Sequence, residues 1–134
     1  MRRDPVSIRS WIPVVLWAAL ILIAATDSFS AAQTGHWLDF LFGGHAPEVA
    51  NFIVRKLAHV VEYAILGTLA WRASGRASVA LLIALVVAGT DEYRQSLSPH
   101  RTGTGWDVAL DLFGAAIGVM VVRWWTGRRE GRKQ

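Results

Sequence analysis

Three stretches of this sequence put titratable side chains at helical spacing. Lys56, His59 and Glu62 recur at three-residue steps. Asp91 and Gln95 stand four apart, with Glu92 beside the first. Asp107 and Asp111 are four apart again. At 100° per residue the first set fans across about 120° of one helix face, while Asp107, Asp111, Gly114 and Gly118 fall within about 60° on another. An imidazole changes charge near neutrality, so His59 beside Asp91 or Glu92 is a set that can take up and release protons. Lys56 and Arg101 can neutralise an anion. The three cations Lys56, Arg94 and Arg101 together oppose the five carboxylates Glu62, Asp91, Glu92, Asp107 and Asp111, which leaves a net charge of −2 with His59 neutral. Arg101-Thr102-Gly103-Thr104-Gly105 precedes a helix start, where an arginine, flexible glycines and free helix N–H groups suit a lipid phosphate. A divalent metal on His59 and the carboxylates is a further chemistry open to such a cluster. No HExxH or comparable spacing occurs, so metal and cofactor stay unknown at this level.

The same residues have plainer uses. His59 can be a core histidine bonded to a carboxylate. Thr104-x-x-Asp107 resembles a capping box, and carboxylates suit helix N-termini. Lys56 can snorkel outward along its own stem. Gly114-x-x-x-Gly118 reads as a close helix-packing face. Asp111, one turn further into its helix, has no capping use.

The elements that carry these residues follow from composition. Of 134 residues, 53% are hydrophobic and 18% charged, against about 25% charged in ordinary soluble domains; mean hydropathy is +0.34. This excludes disorder and a nucleic-acid binder built on a solvated basic face. The absence of Cys excludes thiol catalysis and a disulfide scaffold. One domain over residues 1–134 is expected, with helices at about 11–26, 47–72, 77–97 and 107–125 and a basic tail at 126–134. Each apolar core is shorter than the roughly 20 residues of a simple span, and three of the four reach that length only if polar residues lie inside the membrane zone. A cleaved signal peptide fits the first helix poorly, because Ala24-Ala25-Thr26 is a weak cleavage site. A soluble bundle needs a polar stripe on every helix, and the first helix and the start of the third lack one. The fold expected is an all-α membrane protein, a four-transmembrane-helix bundle.

Orientation follows from the basic residues. One side holds ten of the 14 Lys and Arg, including Arg72, Arg76, Arg123, Arg128 and Arg129, opposed only by Asp4 and Glu130. The other side holds Arg55, Lys56, Arg94 and Arg101 among eight acids. Both termini are therefore expected in the cytoplasm, with the tail on anionic lipid. Trp37, Leu38, Leu41 and Phe42 predict a short amphipathic segment in the outer interface. Counting 1.5 Å per residue from the cytoplasmic boundary places His59, Asp91 and Asp111 at a common depth of about 20 Å, in the outer third of a core about 30 Å thick.

Taken in order, Lys56-x-x-His59-x-x-Glu62-Tyr63, Asp91-Glu92-x-x-Gln95, Pro99-x-Arg101 and Asp107-x-x-x-Asp111-x-x-Gly114-x-x-x-Gly118 resemble the VanZ-like family. The resemblance covers Lys56 to about Gly118. It implies a small bacterial protein of the plasma (inner) membrane, crossing it several times and associated with resistance to the glycopeptide teicoplanin. With it, the candidate site is Lys56, His59, Glu62, Asp91, Glu92, Gln95, Arg101, Asp107 and Asp111. Its expected partners are the lipid bilayer and an envelope lipid or glycopeptide-related ligand, with no nucleic acid. The resemblance supplies no reaction, so whether the protein is an enzyme stays open. The competing expectation is an accessory membrane protein whose polar network is structural and whose surface binds an envelope partner.

Overall fold

A computed structural model describes residues 7–24, 40, 43, 48–97 and 105–131. Four long helices account for nearly all of them: α1, Ile8–Ala24; α2, Glu48–Ser74; α3, Ala77–Ser96; and α4, Gly105–Gly131. No strand occurs among the described residues.

Local chemistry sets the helix ends. Ser7 caps α1, its hydroxyl accepting the Arg9 N–H at 3.3 Å, which satisfies one of the first-turn donors that have no helical partner. That cap starts α1 three residues before the expected position. Pro13 therefore lies in the second turn, where it removes one helical hydrogen bond rather than none. Glu48 sits in the first turn of α2, where a carboxylate is favoured by the helix dipole. At the other end Gly75 takes φ 68°, a left-handed conformation that glycine enters without steric cost. Its N–H closes on the Trp71 carbonyl at 2.7 Å. Only Gly75 and Arg76 then separate α2 from α3, so the two helices form a tight antiparallel hairpin.

The end of α4 corrects the expected tail. Residues 126–131 continue the helix, because each basic side chain folds back one turn onto an indole. The Arg128 guanidinium lies 3.7 Å from the Trp124 ring centroid and that of Arg129 lies 5.0 Å from Trp125, contacts that offset the weak helix preference of Gly127. The amphipathic segment expected at Trp37, Leu38, Leu41 and Phe42 lies outside the described residues.

Buried positions trace one stripe per helix: Tyr63, Leu66, Ala70 and Ala73 on α2, Ala80, Ala84, Val87 and Ala88 on α3, and Ala115 and Val119 on α4. The spacing is that of a helix face. Small residues dominate it, so backbones approach closely. The tightest seam joins α2 and α4, which run parallel. A Cβ on Gly114 would meet the Val60 backbone, one on Gly118 the Ala64 carbonyl, and one on Gly67 the Ala115 carbonyl. α1 packs on α2 and, less, on α3.

Among the described residues, long-range bonds from Trp17 and to Leu22 hold α1. The Trp17 indole N–H donates to the Glu62 main-chain carbonyl at 2.9 Å, and the Arg94 guanidinium donates to the Leu22 carbonyl at 2.8 Å, filling an acceptor in the last turn of α1. Trp17→Phe keeps most of the ring packing and loses one donor. The expected cost is about 1 kcal/mol, read as faster hydrogen exchange confined to α1. Unchanged exchange in α1 would show that this bond does not dock the helix.

Outside, the pattern is inverted relative to a water-soluble bundle. Val15, Leu16, Ile23, Phe52, Leu57, Val61, Leu82, Val86, Phe113 and Met120 are all more than half exposed, far beyond the scattered apolar residues of a soluble surface. Among the described residues one helix, over Gly105–Arg129, is by length and composition long and apolar enough to cross a membrane, and only 28% of that apolar stretch is buried. α1 is apolar but has 17 residues. α2 and α3 carry charged groups within their length.

Candidate functional site

The buried stripes of α2, α3 and α4 continue along their helices into ionisable residues. On α3, Asp91 follows Ala84, Val87 and Ala88 and is 2% exposed. On α4, Asp111 precedes Ala115 and Val119 and is 3% exposed. Both aspartates thus hold positions that an apolar side chain would fill at lower desolvation cost. Their partners come from the parallel α2–α4 seam. His59 Nδ1 lies 3.2 Å from Asp111 Oδ1, and the Lys56 ammonium pairs with the Asp107 carboxylate. Descending the seam, these contacts are followed by Gly114 on Val60 and Gly118 on Ala64. The glycines therefore fix the register that makes the polar pairs meet.

The third helix closes the cluster. Gln95 donates its Nε2–H to Asp91 Oδ2 at 2.9 Å, one turn along α3. Glu62, partly buried, lies within electrostatic reach of His59, Asp91 and Asp111. Glu92 is turned about 100° from Asp91, as consecutive helical residues are, and lies within electrostatic reach of Asp107, Asp111 and Lys56. Exposure falls from rim to floor: the side chains of Lys56, His59 and Asp107 are 32%, 27% and 23% exposed and that of Asp111 is 4%. Lys56 also lies 5.4 Å from the Phe52 ring centroid, so it is held at the rim by a carboxylate and a ring rather than simply snorkelling. Asp107 serves as partner to Lys56 within the first turn of its helix.

Lys56, His59, Glu62, Asp91, Glu92, Gln95, Asp107 and Asp111 thus meet where the middle of α2, the C-terminal turns of α3 and the first turns of α4 come together. Arg101 lies outside the described residues, as does Thr104, the other half of the expected capping box. One expectation is corrected. Arg94, counted from sequence among the cations balancing the carboxylates, reaches across to cap α1 instead, because its long side chain leaves α3 on the exposed face. Among the described residues no three His, Asp or Glu side chains converge in a way that would hold a metal ion.

Tyr63 is the residue that spacing alone passes over. It is fully buried, its hydroxyl finds no hydrogen-bond partner among the described residues, and it lies within electrostatic reach of Asp111, Asp91 and Glu62. Its place directly after Glu62 in the sequence was the available signal. Trp17, whose bond to the Glu62 carbonyl braces the cluster from α1, carried no sequence signal beyond being an indole in an apolar run.

Fold and site together define a small helical bundle, apolar on its outside, with a mixed-charge cluster held between three of its helices. The VanZ/LLP1 family model matches residues 10–126, and the chain belongs to that family. Comparison with curated proteins and with solved structures gave no match.

Proposed function

We propose that this protein crosses the bacterial plasma membrane four times, with both termini in the cytoplasm, and that its outward-facing polar cluster binds the head group of a cell-envelope amphiphile. Large apolar side chains facing outward on all four helices support the spans. The Arg128 and Arg129 stacks on Trp124 and Trp125 fit the cytoplasmic interface, where basic and aromatic residues concentrate. The carboxylates lie at the opposite end of α4. Membership of the VanZ/LLP1 family, with the family's association with teicoplanin, points to glycopeptide tolerance as the setting.

The observation that carries the binding reading is the pair Asp91 and Asp111, each buried on a stripe otherwise made of small apolar residues. An ionisable group inside a span costs about 2.5–3.5 kcal/mol on the gentlest scale. Packing alone would favour alanine there. A second reading is supported by the pairs His59–Asp111, Lys56–Asp107 and Gln95–Asp91, which suit a structural network in an accessory protein.

Native mass spectrometry of the detergent-purified protein separates the two. The expected result is an amphiphile that copurifies with wild type and is lost from Asp91→Asn, while the variant inserts and melts like wild type. Bare protein in both samples, or an Asp91→Asn variant that unfolds, would favour the structural network.

A further inference from the structure

The described part of the cluster is rich in acceptors and short of positive charge. Glu62, Asp91, Glu92, Asp107 and Asp111 all bear carboxyl groups, Lys56 is taken by Asp107, and Arg94 is taken by the end of α1. Below the exposed rim the floor is closed by Tyr63, whose buried hydroxyl has lost its hydration and gained no partner among the described residues. Such a group is uncommon in a folded protein and calls for a partner beyond the described residues.

We propose that the Tyr63 hydroxyl and the carboxyl groups of Asp91 and Asp111 form the floor of a binding site for the primary ammonium group of an amphiphile. This rests on the amphiphile-binding reading above and names the chemistry of the head group. A primary ammonium carries one positive charge and three N–H donors. The floor offers oxygens from three residues on three helices: Tyr63 on α2, Asp91 on α3 and Asp111 on α4. Phosphate would add negative charge beside Asp91, Asp111 and Glu62, with Lys56 already engaged. A quaternary ammonium matches the charge but has no N–H to give. His59, partly exposed and bonded to Asp111, is the side chain an entering head group displaces.

The test uses the full-length protein in phosphatidylglycerol nanodiscs containing equal amounts of phosphatidylethanolamine and phosphatidylcholine, with retained lipid read by native mass spectrometry. Phosphatidylethanolamine is expected to be retained about tenfold over phosphatidylcholine, as one charge-assisted hydrogen bond or more would give. Tyr63→Phe is expected to cut that preference about fivefold, and to leave the melting temperature unchanged or raised by about 2–5 °C, because it removes an unsatisfied buried polar atom. Displacement of the lipid by excess soluble ethanolamine would show that any primary amine suffices; no displacement would tie the site to a lipid-borne one. Equal retention of the two lipids overturns the proposal, as does wild-type preference or a clear loss of stability in Tyr63→Phe. Asp111-dependent retention of phosphatidylglycerol alone would overturn the ammonium chemistry and leave the amphiphile site standing. Retention of none of the three lipids would remove the amphiphile reading itself.

Discussion

Gly118→Leu is expected to prevent the bundle from assembling, giving aggregated or protease-sensitive protein in detergent where wild type gives a single folded species. The reason is the depth at which α2 and α4 interlock. Any Cβ at Gly118 falls on the Ala64 carbonyl oxygen, and the neighbouring contacts at Gly114 and Gly67 are also glycine against backbone rather than against a movable side chain. Backbone cannot turn away as a rotamer can. The helices must separate, and all three contacts loosen together with the weak Cα–H···O interactions that such close approach permits. Overpacking a core against side chains costs about 1–3 kcal/mol, and displacement of a helix axis lies beyond that range. The loss reaches the site as well, because His59 adjoins Val60 in sequence and Asp111 lies one turn from Gly114. Gly89→Ala is the matched control. Nothing lies within 4 Å of a Cβ built there, so the change is expected to be neutral or to stabilise by about 0.5–1 kcal/mol through helix preference. Thermal unfolding in one detergent checks both. A Gly118→Leu protein that melts near wild type would mean that the α2–α4 seam is not what holds the bundle.

Much of this seam is legible in the sequence. Lys56 and His59 step down one helix as Asp107 and Asp111 step down another, and Gly114-x-x-x-Gly118 follows on the same face, so residue spacing alone brings the two polar levels into register above the glycines. Helix boundaries fell within a few residues wherever a backbone device was visible, as at Gly75 between α2 and α3. They failed where side chains decide. Ser7 lengthens α1 by capping it, and the arginine–tryptophan stacks carry α4 through Gly127, neither of which an apolar run reveals. Within the site, charge counting placed Arg94 among the counterions because sequence records a charge but not the direction of a long flexible stem. Tyr63 stayed unassigned for a related reason. Whether a buried hydroxyl has a partner depends on three other helices, and its residue type is equally at home in an ordinary core.

Asp111 should separate fold from function most sharply, through the contrast between two substitutions. Asp111→Asn keeps the shape of the side chain and an oxygen that can accept from the His59 ring at the present 3.2 Å. It also removes one negative charge from a group that includes Asp91, Asp107 and Glu62. Its stability is expected to stay within about 1 kcal/mol of wild type, since a buried ion pair contributes little net stability once its desolvation is counted. Asp111→Ala instead leaves the His59 ring without that partner and opens space at a position 3% exposed; the expected cost is about 2–3 kcal/mol. Adding His59→Ala to it should recover part of this loss, with a coupling of about 0.5–3 kcal/mol, because the ring left unpaired is then gone. Ligand retention should follow charge instead of stability: Asp111→Asn folds, yet loses about tenfold or more of the copurifying amphiphile. If Asn and Ala were equally destabilising, the aspartate would be serving the packing of α2 on α4. If Asn both folded and retained ligand, the carboxylate would be incidental to binding and the site would have to be sought around Asp91 and Glu92.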